Sequence, residues 1–169
     1  CSMVEKLRKH IEKTLLLTDE EFEIVLSYFT ITDFKKNEFI FEKGEKVKHI
    51  YFVSSGLLKL LYHDSSENQH ILSFAMEDWW ESDFCSFFRQ IKAIMSLQCL
   101  EKTTVFCLNF KDYQRLCDQV PKMKDFFLHK SNHGFIESQQ RILTLLTSNA
   151  KERYEMLLEQ SPTLFQRVS

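Results

Sequence analysis

Glycine and proline are scarce in this chain, with three of one and two of the other in 169 residues. So little glycine leaves no material for a phosphate-cradling loop, and no Walker loop, dinucleotide turn or nucleophile elbow is present. An excess of charge is also lacking. Lys and Arg number 22 against 24 Asp and Glu, a formal net charge of −2, which does not suit a generic polyanion binder. No apolar run approaches the length of a membrane span; Phe39–Phe41 and Leu57–Tyr62 are only strand-length. No secretory h-region opens the chain. Its five cysteines (Cys1, Cys85, Cys99, Cys107, Cys117) are odd in number and include no Cys-x-x-Cys pair, which reads as reduced thiols in a cytoplasmic protein.

What is present is apolar bulk. Hydrophobic residues make up 44% and include sixteen Phe, enough for the core of one domain with an appended element. Met3 reads as a native start, with Cys1 and Ser2 as a cloning remnant. Val4, Leu7, Ile11 and Leu15 recur at helical spacing. Thr18 followed by Glu21 is a capping box, and the helix it opens turns Phe22, Ile24, Val25, Tyr28 and Phe29 inward. From Ile31 the period shortens. Phe39–Phe41, His49–Val53, Leu57–Tyr62 and Ile71–Phe74 are strand-like runs bounded by turns at Gly44, Ser54-Ser55-Gly56 and Asp64–Asn68. A later pair, Met95–Leu100 and Val105–Phe110, turns through Glu101–Thr104. The stretch Glu77–Arg89 between them reads as loop plus short helix. After Phe110 helical spacing returns, first through Tyr113, Leu116 and Cys117. Pro121 then opens an uninterrupted helix from Lys122 to at least Asn149.

Phe39-Ile40-Phe41-Glu42-Lys43-Gly44-Glu45, followed by His49-Ile50-Tyr51-Phe52-Val53-Ser54-Ser55-Gly56, resembles the Crp/Fnr superfamily of bacterial transcription regulators, where both glycines turn corners of a β-roll. Leu100–Val105 is similar to that family's late hairpin, and Asn109–Tyr113 to its entry into the next helix. Trp79, Trp80 and Asp83 are similar to members common in Bacteroidetes-type genomes. The resemblance implies a mainly β fold with flanking helices: a double-stranded β-helix (jelly-roll, cyclic-nucleotide-binding-like) with N-terminal helices and a long C-terminal dimerisation helix. It implies a sensor domain over residues 1–120, a dimerisation helix over 121–150, and over 151–169 the start of a DNA-binding domain. Family members continue from a helix like Glu152–Glu159 into a winged helix-turn-helix. This sequence stops where that domain would begin, so truncation is expected, with a stand-alone sensor as the alternative. The expected partners are a second copy, DNA through the domain absent here, and a small-molecule effector of unknown identity; no membrane and no cofactor are expected.

Cyclic-nucleotide binders of the superfamily use a phosphate cassette, Gly-Glu-Leu, a short helix, then Arg-Ser/Thr-Ala. The Glu accepts from the ribose hydroxyl and the Arg forms a charge-assisted pair with the phosphate. The matching segment here is Trp80-Glu81-Ser82. Glu81 keeps the cassette's Glu, but Trp80 replaces its Gly and Ser82 its Leu. The Arg position falls on Ala93, followed by Ile94 and Met95, and an apolar side chain does not neutralise a buried phosphate. Cyclic AMP in the usual manner is therefore not expected. Arg89 and Lys92 are near enough to swing in, or lie on a solvated loop. Glu81 is a ligand contact or a carboxylate at a helix start. Trp79 and Trp80 line a cavity for a flat ligand or cap one end of the roll.

On the long helix Leu128, Ser131, Phe135, Ser138, Ile142, Leu145 and Asn149 alternate by three and four, a heptad seam for a homodimer. Ser138 and Gln139 stand where relatives place the polar pair that contacts adenine. His129 and His133, one turn apart, lack a third ligand and read as a solvated face. A cupin-type metal enzyme shares the roll architecture and is the alternative function. It would need several strand histidines, for which only His49, His63 and His70 stand in strand-like segments.

Overall fold

The computed structural model describes residues 1–147 and 149–168, and it divides into two units, Cys1–Lys124 and Asp125–Ser169. In the first, α1 (Met3–Glu12) and α2 (Asp19–Ser27) both start at side-chain caps. The expected box is complete. Thr18 Oγ1 accepts from the Glu21 amide at 3.1 Å, and the Glu21 carboxylate accepts from the Thr18 amide at 2.9 Å, satisfying two N–H groups that a helix start leaves free. Leu7, Ile11, Phe22, Val25 and Phe29 are buried, while Ile24 and Tyr28 are half-buried.

Eight strands follow: β1 (Thr30–Phe34), β2 (Phe39–Phe41), β3 (His49–Ser55), β4 (Leu58–His63), β5 (Gln69–Ala75), β6 (Trp80–Glu81), β7 (Ser96–Cys99) and β8 (Thr103–Asn109). Two helices belong to the same unit, α3 (Phe84–Arg89) and α4 (Phe110–Gln119). All strand pairs are antiparallel, in two four-stranded sheets ordered β1-β8-β3-β6 and β2-β7-β4-β5. This is the sandwich that the paired glycine turns imply.

The central strand β3 accounts for its own composition. It lies between β8 and β6, and Ile50 through Ser54 are all buried. A strand enclosed on both faces has no polar side to alternate with, hence the unbroken Ile50-Tyr51-Phe52-Val53. Phe52 and Phe106 face each other in register and neither is exposed. Each contributes roughly 1.5–3 kcal/mol of burial. His10 of α1 covers the pair, its ring 4.8 Å from Phe52.

Two sequence expectations change here. β1 is a strand that periodicity passes over, because it mixes Thr30, Thr32 and Asp33 with Ile31 and Phe34 and is defined by its pairing to β8. Glu77–Arg89 is not only loop and helix. Trp80 and Glu81 pair with Phe52 and Tyr51 as β6, which gives the free edge of β3 hydrogen-bonding partners.

The second unit holds the remainder of α5 (Lys122–Thr147), then α6 (Ala150–Gln160) and α7 (Leu164–Arg167). The long helix opens after Pro121 as expected, but it does not reach Asn149. Asn149 is instead the N-cap of α6. Its side chain accepts from the Glu152 amide at 2.9 Å while Glu152 accepts from the Asn149 amide at 3.1 Å. A capping box fixes its first residue in extended geometry, so Asn149 is no seam position of α5. Among the described residues no helix is long and apolar enough to cross a membrane.

Candidate functional site

The short strand β6 separates the jobs of two adjacent side chains. Successive residues of a strand face opposite ways, and the pairing sets Glu81 opposite Tyr51 and Trp80 opposite Phe52. Trp80 therefore faces the helices. Its indole N–H donates to His10 Nε2 at 3.0 Å, and its ring lies 5.2 Å from Phe52 and 6.1 Å from Phe29. Glu81 takes the other face and is buried. Its carboxylate accepts from Ser73 Oγ at 2.7 Å and from the Ser82 amide at 3.1 Å. Ser82, also buried, donates through Oγ to the His49 carbonyl at 2.8 Å. Trp79 stays 37% exposed and contributes its carbonyl to the Val53 amide. The two tryptophans thus stand in different surroundings.

Asp83 is the residue that sequence reasoning undervalued. Fully buried, it caps α3, with Oδ1 accepting from the Ser86 amide at 3.0 Å. Its second oxygen accepts from Ser86 Oγ at 2.8 Å, from the Ile94 amide at 2.9 Å and from the Met95 amide at 3.2 Å. One carboxylate thereby joins the start of α3 to the segment entering β7. The sequence signal was Asp83 three residues before Ser86, an N-cap spacing; the bonds to residues 94 and 95 have no local signature.

Ala93 is buried and makes two backbone hydrogen bonds, accepting from the Gly44 amide at 2.8 Å and donating to the Glu45 carbonyl at 2.7 Å. No guanidinium is supplied at this position. Arg89 is the exposed last residue of α3, followed by Gln90 in the left-handed region at φ 54°. Lys92 is exposed and pairs through its backbone with Lys46 in an isolated bridge. Of the expected ligand residues, Glu81 and Ser82 meet through the Ser82 amide, while Trp80 faces the other side of β6. Ser138 and Gln139 lie exposed on α5, in the second unit.

The remaining site expectations separate in space. His49 is at the start of β3, His63 ends β4, and His70 Nε2 lies 2.9 Å from Asp64 Oδ2 in the β4–β5 turn. His133 pairs with Glu137 at 3.1 Å, one helical turn on. Among the described residues no three His, Cys, Asp or Glu side chains group as metal ligands, so nothing supports the cupin alternative. Cys99, Cys107 and Cys117 are buried, and burial pushes each thiol up, Cys99 to about 11. All three are neutral thiols, poor nucleophiles near neutral pH.

Comparison with known proteins agrees with this geometry. The family model for the cyclic nucleotide-binding domain matches residues 31–120, a little over half of the chain. The transcriptional activator protein Anr of Pseudomonas protegens is 28% identical over 124 residues, 73% of this chain and 50% of that protein. The chain spans about half the length of the curated relatives it matches. A cyclic nucleotide-binding domain from Methylobacillus flagellatus superposes with a TM-score of 0.72 at 15% identity, over 87% of this chain and 86% of that one. The sensor domain of the regulator DNR from Pseudomonas aeruginosa gives 0.64 at 18%, over 82% and 89%. At such identities the structural likeness speaks for the fold alone. The chain belongs to the cyclic nucleotide-binding domain family and, within it, is homologous to the Crp/Fnr-type regulators.

Proposed function

We propose that this chain is the effector-sensing and dimerising part of a Crp/Fnr-type DNA-binding transcription regulator, with no catalytic role, and that its effector is not a cyclic nucleotide held in the usual manner. DNA contact is assigned to a winged helix-turn-helix outside these residues, for which the greater length of the curated relatives leaves room.

The buried carboxylate of Asp83 carries the effector part of the reading. In the family's cassette the Arg and its neighbouring backbone amides neutralise the cyclic phosphate. Here the amides of Ser86, Ile94 and Met95 already have an anion, and it belongs to the protein. A phosphate entering that space would meet a buried negative charge, with Ala93 where the family's Arg would neutralise both. Charge-assisted hydrogen bonds contribute roughly 1.5–3 kcal/mol each. The loss of a bidentate pair alone should then weaken binding by about two to four orders of magnitude. Glu81, engaged by Ser73, is not reserved for a ribose.

Isothermal titration with cyclic AMP and cyclic GMP tests this, and silence is the expected result. A low-micromolar dissociation constant for either would mean that Arg89 or Lys92 has moved onto the phosphate, and would overturn the reading. The regulatory part is tested by selecting random DNA duplexes with the gene product. A two-fold-symmetric site should be enriched, because a two-fold protein imposes its symmetry on its operator; recovery of no sequence would count against it.

A further inference from the structure

A cavity of about 230 Å³ opens among β1, β2, β3, β8 and the loop that follows Gly44, lined by none of Glu81, Ser82, Asp83 and Arg89. We propose that it is a binding site for a small aromatic carboxylate, whose ring lies between Phe41 and Tyr51 on one side and Phe34 and Ile40 on the other. The carboxylate faces Lys46 and Lys48, and a polar group across the ring accepts from the hydroxyl of Tyr51.

Tyr51 is the observation that points to a ligand. It is 5% exposed and lines the cavity, yet among the described residues its hydroxyl makes no hydrogen bond. The hydroxyl is not sealed in: among the described residues the enclosed side-chain oxygen without a partner is Ser54 Oγ, so the Tyr51 O–H reaches the open space of the cavity as a donor available to a ligand. Burial pushes this phenol well above its ordinary range, which keeps the O–H in place as a donor. Its neighbour His49 is pushed down, first by burial and then by Lys48, so the imidazole is neutral at pH 7 and adds no charge to the cavity.

Shape selects a flat ligand. The Phe41 and Tyr51 rings lie 25° from parallel with centroids 6.4 Å apart, and His49 stands edge-on to Tyr51 at 5.8 Å. Volume selects a small one, since drug-sized ligands occupy pockets of roughly 300–1,000 Å³. Charge selects the carboxylate. Lys46 and Lys48 outnumber the single acid Glu45 in the lining, and all three are exposed at the mouth. Neither an arginine fork nor a helix start lines this cavity, so the anion is held by the two ammonium groups as point charges. Only in naming this ligand as the effector does the inference rest on the regulatory reading; the binding itself does not.

The test is a titration of the isotopically labelled chain with 4-hydroxybenzoate, followed by amide chemical shifts. Saturable shifts confined to residues 46–51 and their neighbours on β1, β2 and β8 are expected. Tyr51→Phe should weaken binding at least about fivefold, the scale of one hydrogen bond. The uncharged analogue 4-hydroxybenzyl alcohol should weaken it comparably, and added salt should erode the difference between acid and alcohol. Shifts that fail to appear at millimolar acid, or that map elsewhere, overturn the site. Equal affinity of Tyr51→Phe and wild type overturns the role of Tyr51. Were Tyr51→Phe to misfold, the acid-to-alcohol comparison on wild type still decides, since equal affinity for the two would overturn the lysine contact. Every one of these outcomes is independent of DNA binding and of cyclic nucleotides.

Discussion

Gly44 and Gly56 share a backbone conformation but not a neighbourhood. Both have positive φ, 92° and 112°, where an L side chain is strained. A Cβ on Gly44 would meet nothing within 4 Å; on Gly56 it would lie 2.2 Å from Thr103 Oγ1 and 2.7 Å from Thr103 Cα. Gly44→Ala should therefore cost only the conformational term, about 1–2 kcal/mol. Gly56→Ala adds displacement of backbone in a packed core, for about 2–5 kcal/mol in all. Urea unfolding of the two variants checks the ordering, and equal midpoints would contradict it. The sequence marked both glycines as turns with equal weight. What separates them is Thr103, which the fold brings in at the start of β8, and no local pattern carries that. Tyr51 illustrates the same limit. It reads as one more apolar strand residue until the register sets it beside Glu81 and over a cavity.

At the scale of elements, α3 is held less by its own length than by Asp83. A six-residue helix has too few internal hydrogen bonds to persist alone, and four of the groups that anchor it and the 94–95 segment converge on that one carboxylate. Asp83→Asn keeps the shape but replaces one acceptor oxygen with an NH2 donor. At least one buried amide is then left facing a donor, a loss of about 2–4 kcal/mol once the charged hydrogen bonds are counted. The measurement is chemical denaturation, with hydrogen exchange at Ile94 and Met95 as the local readout. Faster exchange there than in β3 is expected, and an unchanged midpoint would show that the carboxylate is replaceable. Elements were legible wherever a short-range rule governs them. The Thr18–Glu21 box was read correctly because all its partners lie within four residues. Asn149–Glu152 has the same spelling but was hidden by the heptad count running into it. Two-residue β6 has no period to detect, and mixed-polarity β1 exists as a strand through its pairing with β8.

At the scale of the whole molecule, α5 presents a row of large apolar side chains to solvent among the described residues. Leu128, Phe135, Ile142 and Leu145 of the expected seam are each more than half exposed, and so are Ile136, Leu143 and Leu146 beside them. Scattered exposed leucines are ordinary, but a continuous strip of this kind marks an interface. Leu128, Phe135 and Ile142 recur every seven residues, the spacing that lets two helices stay in contact along their length. Ile136, Leu143 and Leu146 make the strip broader than an a/d pair alone, which suits a second copy with bulky neighbours on both flanks of the seam. Ser131 and Ser138 lie on the same strip and are exposed as well, so the two chains would approach closely there without burying a charge. The expected assembly is a homodimer through Leu128–Leu145. Phe135→Glu combined with Ile142→Glu puts like charges opposite each other across the two-fold axis and should yield monomers. The β-roll should survive intact, because both positions lie in the second unit and neither belongs to the core. Size-exclusion chromatography with light scattering reads the mass, and circular dichroism reads the sheet. Wild type should run at twice the chain mass at tens of micromolar and the double variant at once the chain mass with an unchanged sheet signal. A wild-type monomer at that concentration would mean that the strip is covered by something other than a second copy.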